Sequence, residues 1–233
     1  MSRLKLAVAV AVAVAVVALG GGAYLLTRPH AGPPPVALSA GPGPSSGSAG
    51  AQLAGTWLVD AGSEVGYRVR ERFVGQPADT EAVARTSTIS GRLALAGDGD
   101  GTRLQSASFS ADIGKLNSQD PNATHGLAVR DVFVGRIYLE TAVYPMATFV
   151  ARPLPVTSSA TTSSLMVGGA FTVHGVTHDV AIPLQVSRND ERLEVVGAFP
   201  LHYPDYKIDV PQVPFTSANP DATIEVHLFL KRG

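Results

Sequence analysis

Residues 165–186 read Leu-Met-Val-Gly-Gly-Ala-Phe-Thr-Val-His-Gly-Val-Thr-His-Asp-Val-Ala-Ile-Pro-Leu-Gln-Val. Leu165, Val167, Gly169, Phe171 and Val173 share one parity up to His174-Gly175, and Val180, Ile182, Leu184 and Val186 share one after it. A spacing of two is that of a strand with one buried face, and the His-Gly pair marks a tight reversal. The stretch reads as an antiparallel hairpin.

The same pattern extends outward in both directions. Upstream, Trp57, Val59, Val65, Tyr67 and Val69 form a first run, Val83, Ile89, Leu93 and Leu95 a second, Ala107, Phe109, Ala111 and Ile113 a third, and Met146 to Arg152 a fourth. The hairpin supplies the fifth and sixth. Downstream, Leu193, Val195, Gly197 and Phe199 make a seventh, and Ile224, Val226, Leu228 and Leu230 an eighth. Asp98-Gly99-Asp100-Gly101 is expected to turn the second run into the third. From Asp120 to about Glu140 alternation fails, and an Asp-Pro start signal predicts one short helix there. Eight strands joined as neighbours predict an all-β fold, an eight-stranded antiparallel up-and-down barrel in preference to a two-sheet sandwich, because closure removes exposed strand edges. A barrel of eight strands is either filled by side chains, and would then act as an interaction module, or holds one small ligand. Tyr67, Val69, Phe109, Phe149, Phe171, Val173 and Phe199 fall on the inward parity, and the small inward residues Ala107, Ala111, Gly169 and Gly197 are expected to leave room.

The barrel occupies residues 56–233, and what precedes it differs in composition. Leu6 to Leu26 is 21 residues without a charge, about the length that spans a hydrocarbon core. Arg3 and Lys5 lie before it and Arg28 just after, so the positive-inside bias orients residues 1–28 as an N-terminal transmembrane helix with the barrel outside the cytoplasm. The expected location is a single-pass protein of the cytoplasmic membrane with an extracytoplasmic C-terminal domain. The alternative is a cleaved signal peptide and a secreted domain, with Ala18-Leu19-Gly20 at the cleavage site. Residues 29–55 contain six prolines and no charge, the composition of a disordered linker of about 30 Å if flexible and at most about 80 Å if extended.

Charge and chemistry narrow the function. The three early cations leave 15 basic against 19 acidic residues in the rest, which argues against nucleic acid. Without cysteine there is no disulfide, thiolate metal site or cysteine nucleophile. His174, His178 and Asp179 invite a hydrolase or metal-assisted reading, with His125 in the helical stretch as a further candidate. Gly175 between the two histidines places them at a β-turn, however, not on one helix face. Asp98 to Thr102 is half a calcium loop without the distal Glu. Gly43-Pro44-Ser45-Ser46-Gly47 fits a nucleophile pattern in a stretch with no strand before it or helix after it. No catalytic residue and no metal ligand is expected.

Five segments in order resemble the YceI-like family of polyisoprenoid-binding proteins. They are Trp57 to Tyr67; Ala82 to Gly91; Arg130-Asp131 followed by Tyr144-Pro145-Met146-Ala147-Thr148-Phe149; Gly168 to Thr177; and Asp205-Tyr206-Lys207-Ile208. The resemblance implies a lipocalin-like barrel in a bacterial, membrane-anchored protein. It further implies no enzymatic activity and no cofactor, with an isoprenoid lipid or isoprenoid quinone as ligand. Tyr67, Val69, Phe109, Phe149, Phe171, Val173, Phe199 and Phe133 would line the cavity. The expected partners are that lipid and, through residues 6–26, the membrane; a homodimer is left open. The sequence departs from the family pattern at Phe133-Val134, at Ile137-Tyr138-Leu139-Glu140 and at Lys207, near the expected cavity mouth, so head-group preference is not implied.

Overall fold

A computed structural model describes residues 32–39, 53–75, 78–97, 101–119, 131–132, 134–156, 162–188, 192–210, 212–213 and 216–233. Eight antiparallel staves close into a ring. The first is β1 (Gly55–Val59) continued by β2 (Glu64–Phe73), and the second is β3 (Thr80–Thr86) continued by β4 (Ile89–Ala96). The third is β5 (Arg103–Asp112), followed by the short β6 (Asn117–Ser118); the fourth is β7 (Met146–Ala151), followed by β8 (Leu154–Pro155). Then come β9 (Thr162–Val173), β10 (Val176–Arg188), β11 (Arg192–His202), the short β12 (Gln212–Val213) and, as the eighth stave, β13 (Thr216–Arg232). Each stave pairs with its neighbours in sequence, and β13 returns to the first. This is the barrel that the alternation predicts.

Closure requires the first stave to bend. The end of β13 pairs with β1, Val59 facing Leu230, while its middle pairs with β2, Glu64 facing His227. Five steps on one strand therefore match three on the other. The surplus is taken up by Asp60–Ser63, where the side chain of Ser63 replaces ladder groups: its hydroxyl donates to the Asp60 carbonyl (2.8 Å) and accepts from the Phe229 N–H (2.9 Å). The second stave bends at Ser87-Thr88, and its facing changes there. Tyr67 pairs with Ala84 and Arg68 with Val83, so Val83 points outward, against the parity expected from the sequence, while Ile89, Leu93 and Leu95 line the interior.

One end of the barrel carries both chain-proximal strand ends, Gly55 and Arg232. Trp57 closes it, 1% exposed, its indole N–H donating to Leu53 and its ring under the Arg232 guanidinium at 4.8 Å. The other end, called here the helical end, carries the turns Ile113–Lys115 and Tyr203–Tyr206 and a helical piece comprising Asp131-Val132 and one wide turn, Val134–Tyr138. The short helix expected before Glu140 is this piece. The His174-Gly175 reversal also lies at this end, with φ of 52° and 71°, the left-handed pair that a two-residue hairpin needs.

Residues 32–39, part of the stretch read as a linker, lie extended against the outside of the barrel. The carbonyl of Pro33 accepts from Arg68 Nη2 (2.7 Å), that of Pro34 from Arg85 Nη2 (3.1 Å), and Ser39 donates to Glu194 Oε1 through both its N–H and its hydroxyl (2.8 Å each). The segment is held because proline-rich chain presents carbonyls with no competing intramolecular partners, and the barrel wall presents guanidinium donors. Beneath it lies an ionic network. Glu225, 2% exposed, accepts from Arg68 Nε and Arg85 Nη2 (3.0 Å each), and the two arginines also pair with Glu81 and Glu64. Val83 is 1% exposed although it faces outward. The anchor 1–28, the remainder of 29–55, the Asp98-Gly99-Asp100 turn, and Asp120–Arg130 with His125 lie outside the described residues. Among the described residues no helix is long and apolar enough to cross a membrane.

Replacing Glu225 by Gln leaves two guanidinium groups facing a buried neutral amide. A loss of about 3 kcal/mol is expected, read as a lower urea midpoint at unchanged slope. A second expectation concerns acid. Burial opposes the charge of Glu194, but the two Ser39 hydrogen bonds and the contact with His227 together outweigh it and hold its carboxyl below the ordinary value. A depressed folded value means that the stabilisation is complete above the unfolded value, about pH 4.3, and is lost as pH falls through the folded one. Hydrogen exchange at Val36–Ser39 is therefore expected to rise below about pH 4, before the strands open.

Candidate functional site

The staves enclose an internal cavity of about 250 Å³ running between the two core clusters of the barrel. Tyr67, Phe109, Phe149, Phe171, Val173 and Phe199 line it, as their parity predicts. Val69 is not among the lining residues; it is 5% exposed and packs into the core cluster of the helical end, to which Phe171, Val173 and Phe199 also belong. Phe133 lies outside the residues whose side chains are described. None of the forty lining residues is Asp, Glu, Lys, Arg or His, and apart from three tyrosines the polar side chains are Thr86, Ser110, Thr148 and Ser163.

The origin of the space differs partly from expectation. Ala107 and Ala111 line the cavity, but Gly169 and Gly197 do not. A Cβ on Gly169 would strike the Val150 carbonyl and lie 2.6 Å from Phe149 Cζ, and one on Gly197 would lie 2.7 Å from the Pro183 carbonyl. These glycines make room for neighbouring side chains and backbone, not for a ligand. Lining residues that alternation alone does not reveal come from the helical end: Val134, Tyr138 and Leu139 from the helical piece, and Tyr203 and Ile208 from the turn before β12. Val134 and Tyr138, four apart, are the one signal the sequence offers for that helical face. Burial pushes the Tyr203 phenol far above its usual range, so it stands in the wall as a neutral group.

Toward the helical end the cavity adjoins a second recess of about 350 Å³, and the two share Tyr67, Ile113, Leu116, Val134 and Leu139. This recess is the candidate mouth. Its rim adds Asn117, Asp131, Arg136 and Thr141. Asp131 is tied down: its carboxylate accepts from the Ser118 N–H (3.1 and 3.2 Å) and from the Ser118 hydroxyl, which fastens the helical piece to β6. Arg136 is exposed and makes no ion pair with described residues. The mouth thus joins an apolar interior to a rim offering a cation and amide and hydroxyl groups.

His174 and His178 are used elsewhere. His174 Nδ1 lies 3.1 Å from the Tyr206 carbonyl, its Nε2 3.1 Å from Glu140 Oε2, and its ring packs on Tyr144 at 4.6 Å. His178 Nε2 lies 3.0 Å from the Asp205 carbonyl, and Asp179 pairs with Arg152. The two histidines hold the Tyr203–Tyr206 turn over the helical end, and none of the three residues lines the cavity. No group of three or more His, Asp or Glu positioned to hold a metal occurs among the described residues.

The described residues thus form a closed antiparallel barrel around an apolar cavity, with a polar recess beside it at the helical end. The YceI-like domain matches residues 57–230, and the chain belongs to that family. Among solved structures it is similar to a polyisoprenoid binding domain from Saccharophagus degradans implicated in plant cell wall breakdown, at 17% identity and a TM-score of 0.56, covering 77% of this chain and 99% of that one. It is also similar to Burkholderia cenocepacia BcnA, at 20% identity and a TM-score of 0.51, covering 73% and 98%. No curated protein matches it.

If Ala107 borders empty space and Gly169 borders occupied space, larger residues at the two positions act differently. Ala107→Leu is expected to change stability by less than about 1 kcal/mol, and Gly169→Ala to cost about 2 kcal/mol or more. Urea denaturation of both variants measures the contrast.

Proposed function

We propose that the barrel binds a polyisoprenoid or similar long-chain amphiphile, with the hydrocarbon in the cavity and the head group at the mouth beside Arg136 and Asn117. The single observation that carries the reading is the lining, apolar from end to end and without a charged side chain or a histidine. Such a wall has no general acid, base or nucleophile to offer beyond buried phenols and hydroxyls, so binding rather than catalysis is the proposed role. Its affinity comes from length. Space of this size holds on the order of ten methylene-sized groups, worth about 8 kcal/mol of gross hydrophobic drive before the costs of association. A chain of 30 to 40 carbons would extend through the mouth. The similarity to a domain described as polyisoprenoid-binding supports the same ligand class, and an isoprenoid quinone meets the same requirement.

The proposed setting is the outer face of the cytoplasmic membrane of a bacterium, with residues 6–26 as a retained anchor. The apolar composition of that run supports this, as does its position ahead of the barrel. Transport, storage and presentation of the lipid all use the same cavity.

The test is mass spectrometry of organic extracts from the full chain and from Ala111→Phe, purified identically. The wild type is expected to carry a prenyl species near one per chain and the filled-cavity variant less than a tenth of it, while the pair His174→Ala and His178→Ala keeps the ligand. Equal lipid in wild type and Ala111→Phe would contradict the reading.

A further inference from the structure

The segment 32–39 has a direction. β13 runs from the helical end at Thr216 to the opposite end at Arg232. Pro33 meets Arg68, which pairs with Thr223; Pro34 meets Arg85, which also binds Glu225; and Ser39 meets Glu194, which pairs with Phe229. The contacts climb β13 from 223 through 225 to 229, so the chain travels away from the helical end as it is read forward. Gly32 is the end nearest the mouth. It packs on the outer side of β3, where a Cβ would lie 2.9 Å from Val83 Cγ2, while Ala84 on the inner side of the same strand lines the mouth. Leu26, the end of the uncharged run, is only six residues before Gly32, and a fully extended chain of that length reaches about 20 Å.

A second observation concerns the surface around the mouth. Four large apolar residues are exposed at the helical end: Val74 at 77%, Val132 at 55%, Val143 at 67% and Met146 at 40%. They come from four separate places in the chain: the β2–β3 connection, the helical piece, the turn before β7 and the first residue of β7. At the opposite end the corresponding exposure among described residues is Leu58 at 37%, and Val150 (51%) and Met166 (59%) stand singly on the outer wall, on β7 and β9. Apolar side chains gathered from separate loops around one opening form a contact surface for an apolar partner.

We infer that the helical end of the barrel rests on the outer surface of the bilayer, with Val74, Val132, Val143 and Met146 at the lipid interface, and that the docked segment 32–39 aims the mouth toward the membrane. The occupant is a lipid surface because the chain that leaves the barrel beside this rim is the one that carries the 21-residue apolar run. The inference rests on reading that run as a retained anchor and on the proposed lipid-binding role. Its consequence is that a hydrocarbon tail can pass between bilayer and cavity without crossing bulk water.

The chain has no cysteine, so single substitutions label cleanly. Val143→Cys, Val132→Cys and, at the opposite end, Gln105→Cys would each carry a nitroxide in the full-length protein, reconstituted in phosphatidylethanolamine–phosphatidylglycerol vesicles. Collision with a water-soluble nickel chelate is expected to be at least fivefold weaker at 143 and 132 than at 105. Inserting twenty Gly and Ser residues between Ala31 and Gly32 is expected to remove most of that protection, since the docked segment would no longer be coupled to the anchor. Equal collision rates at all three positions, or a chain that does not float with the vesicles, would overturn the inference. Protection unchanged by the insertion would overturn the aiming role of 32–39. Lipid extracted from the same samples separates the two readings: a filled cavity with an unprotected rim refutes only the membrane contact, and an empty cavity with a protected rim refutes only the proposed ligand.

Discussion

Strand β13 has two partners on one side, β1 near its end and β2 along its middle, and the closed ring exists only because the first stave can bend between them. The Asp60–Ser63 break supplies that bend, and the Ser63 hydroxyl keeps the Phe229 N–H satisfied where the ladder is interrupted. An open sheet would leave the β1 and β13 edges unpaired and would have no inside. The described interior follows from that closure: Trp57 buried across one end, a wall set by one parity of each stave, and the candidate mouth at the other end.

The wall and the outer surface solve different problems. Inside, selectivity for hydrocarbon needs only the exclusion of charge, because each buried methylene contributes about 0.8 kcal/mol and a wall without ionisable acid or base imposes no competing desolvation. Outside, charge is buried on purpose. Glu225 is 2% exposed and is tolerable there because both its oxygens accept from guanidinium groups. The arginines that neutralise it also hold the proline carbonyls, so the network is at once a part of the wall and the seat for the incoming chain.

Strand count, order, closure and most of the inward residues were legible because period-two alternation is a direct consequence of pleating. The features that escaped are those without a period. Val83 reads as inward in the sequence because the change of facing at Ser87-Thr88 sits among polar residues, where neither parity is marked by hydrophobicity. Gly169 and Gly197 looked like empty space, but a missing side chain does not say who fills the gap; here Phe149 and the Pro183 carbonyl do. Val69 has the right parity and packs into the core cluster of the helical end without lining the cavity. Residues 32–39 read as linker because proline-rich chain binds through its backbone, and the side chains that hold it, the donors Arg68 and Arg85 and the acceptor Glu194, are spread over three strands. The two histidines drew attention by chemistry and proved to be fasteners for the Tyr203–Tyr206 turn.

The central claim is that hydrocarbon length, measured against the cavity, sets affinity. The direct measurement is titration of the delipidated protein with prenyl alcohols of 5, 10, 15 and 20 carbons. The account predicts at least about tenfold tighter binding for the second five-carbon unit, up to about 10 carbons, then a smaller gain per unit. Affinity independent of chain length, or no binding of the 20-carbon alcohol at micromolar concentration, would contradict it.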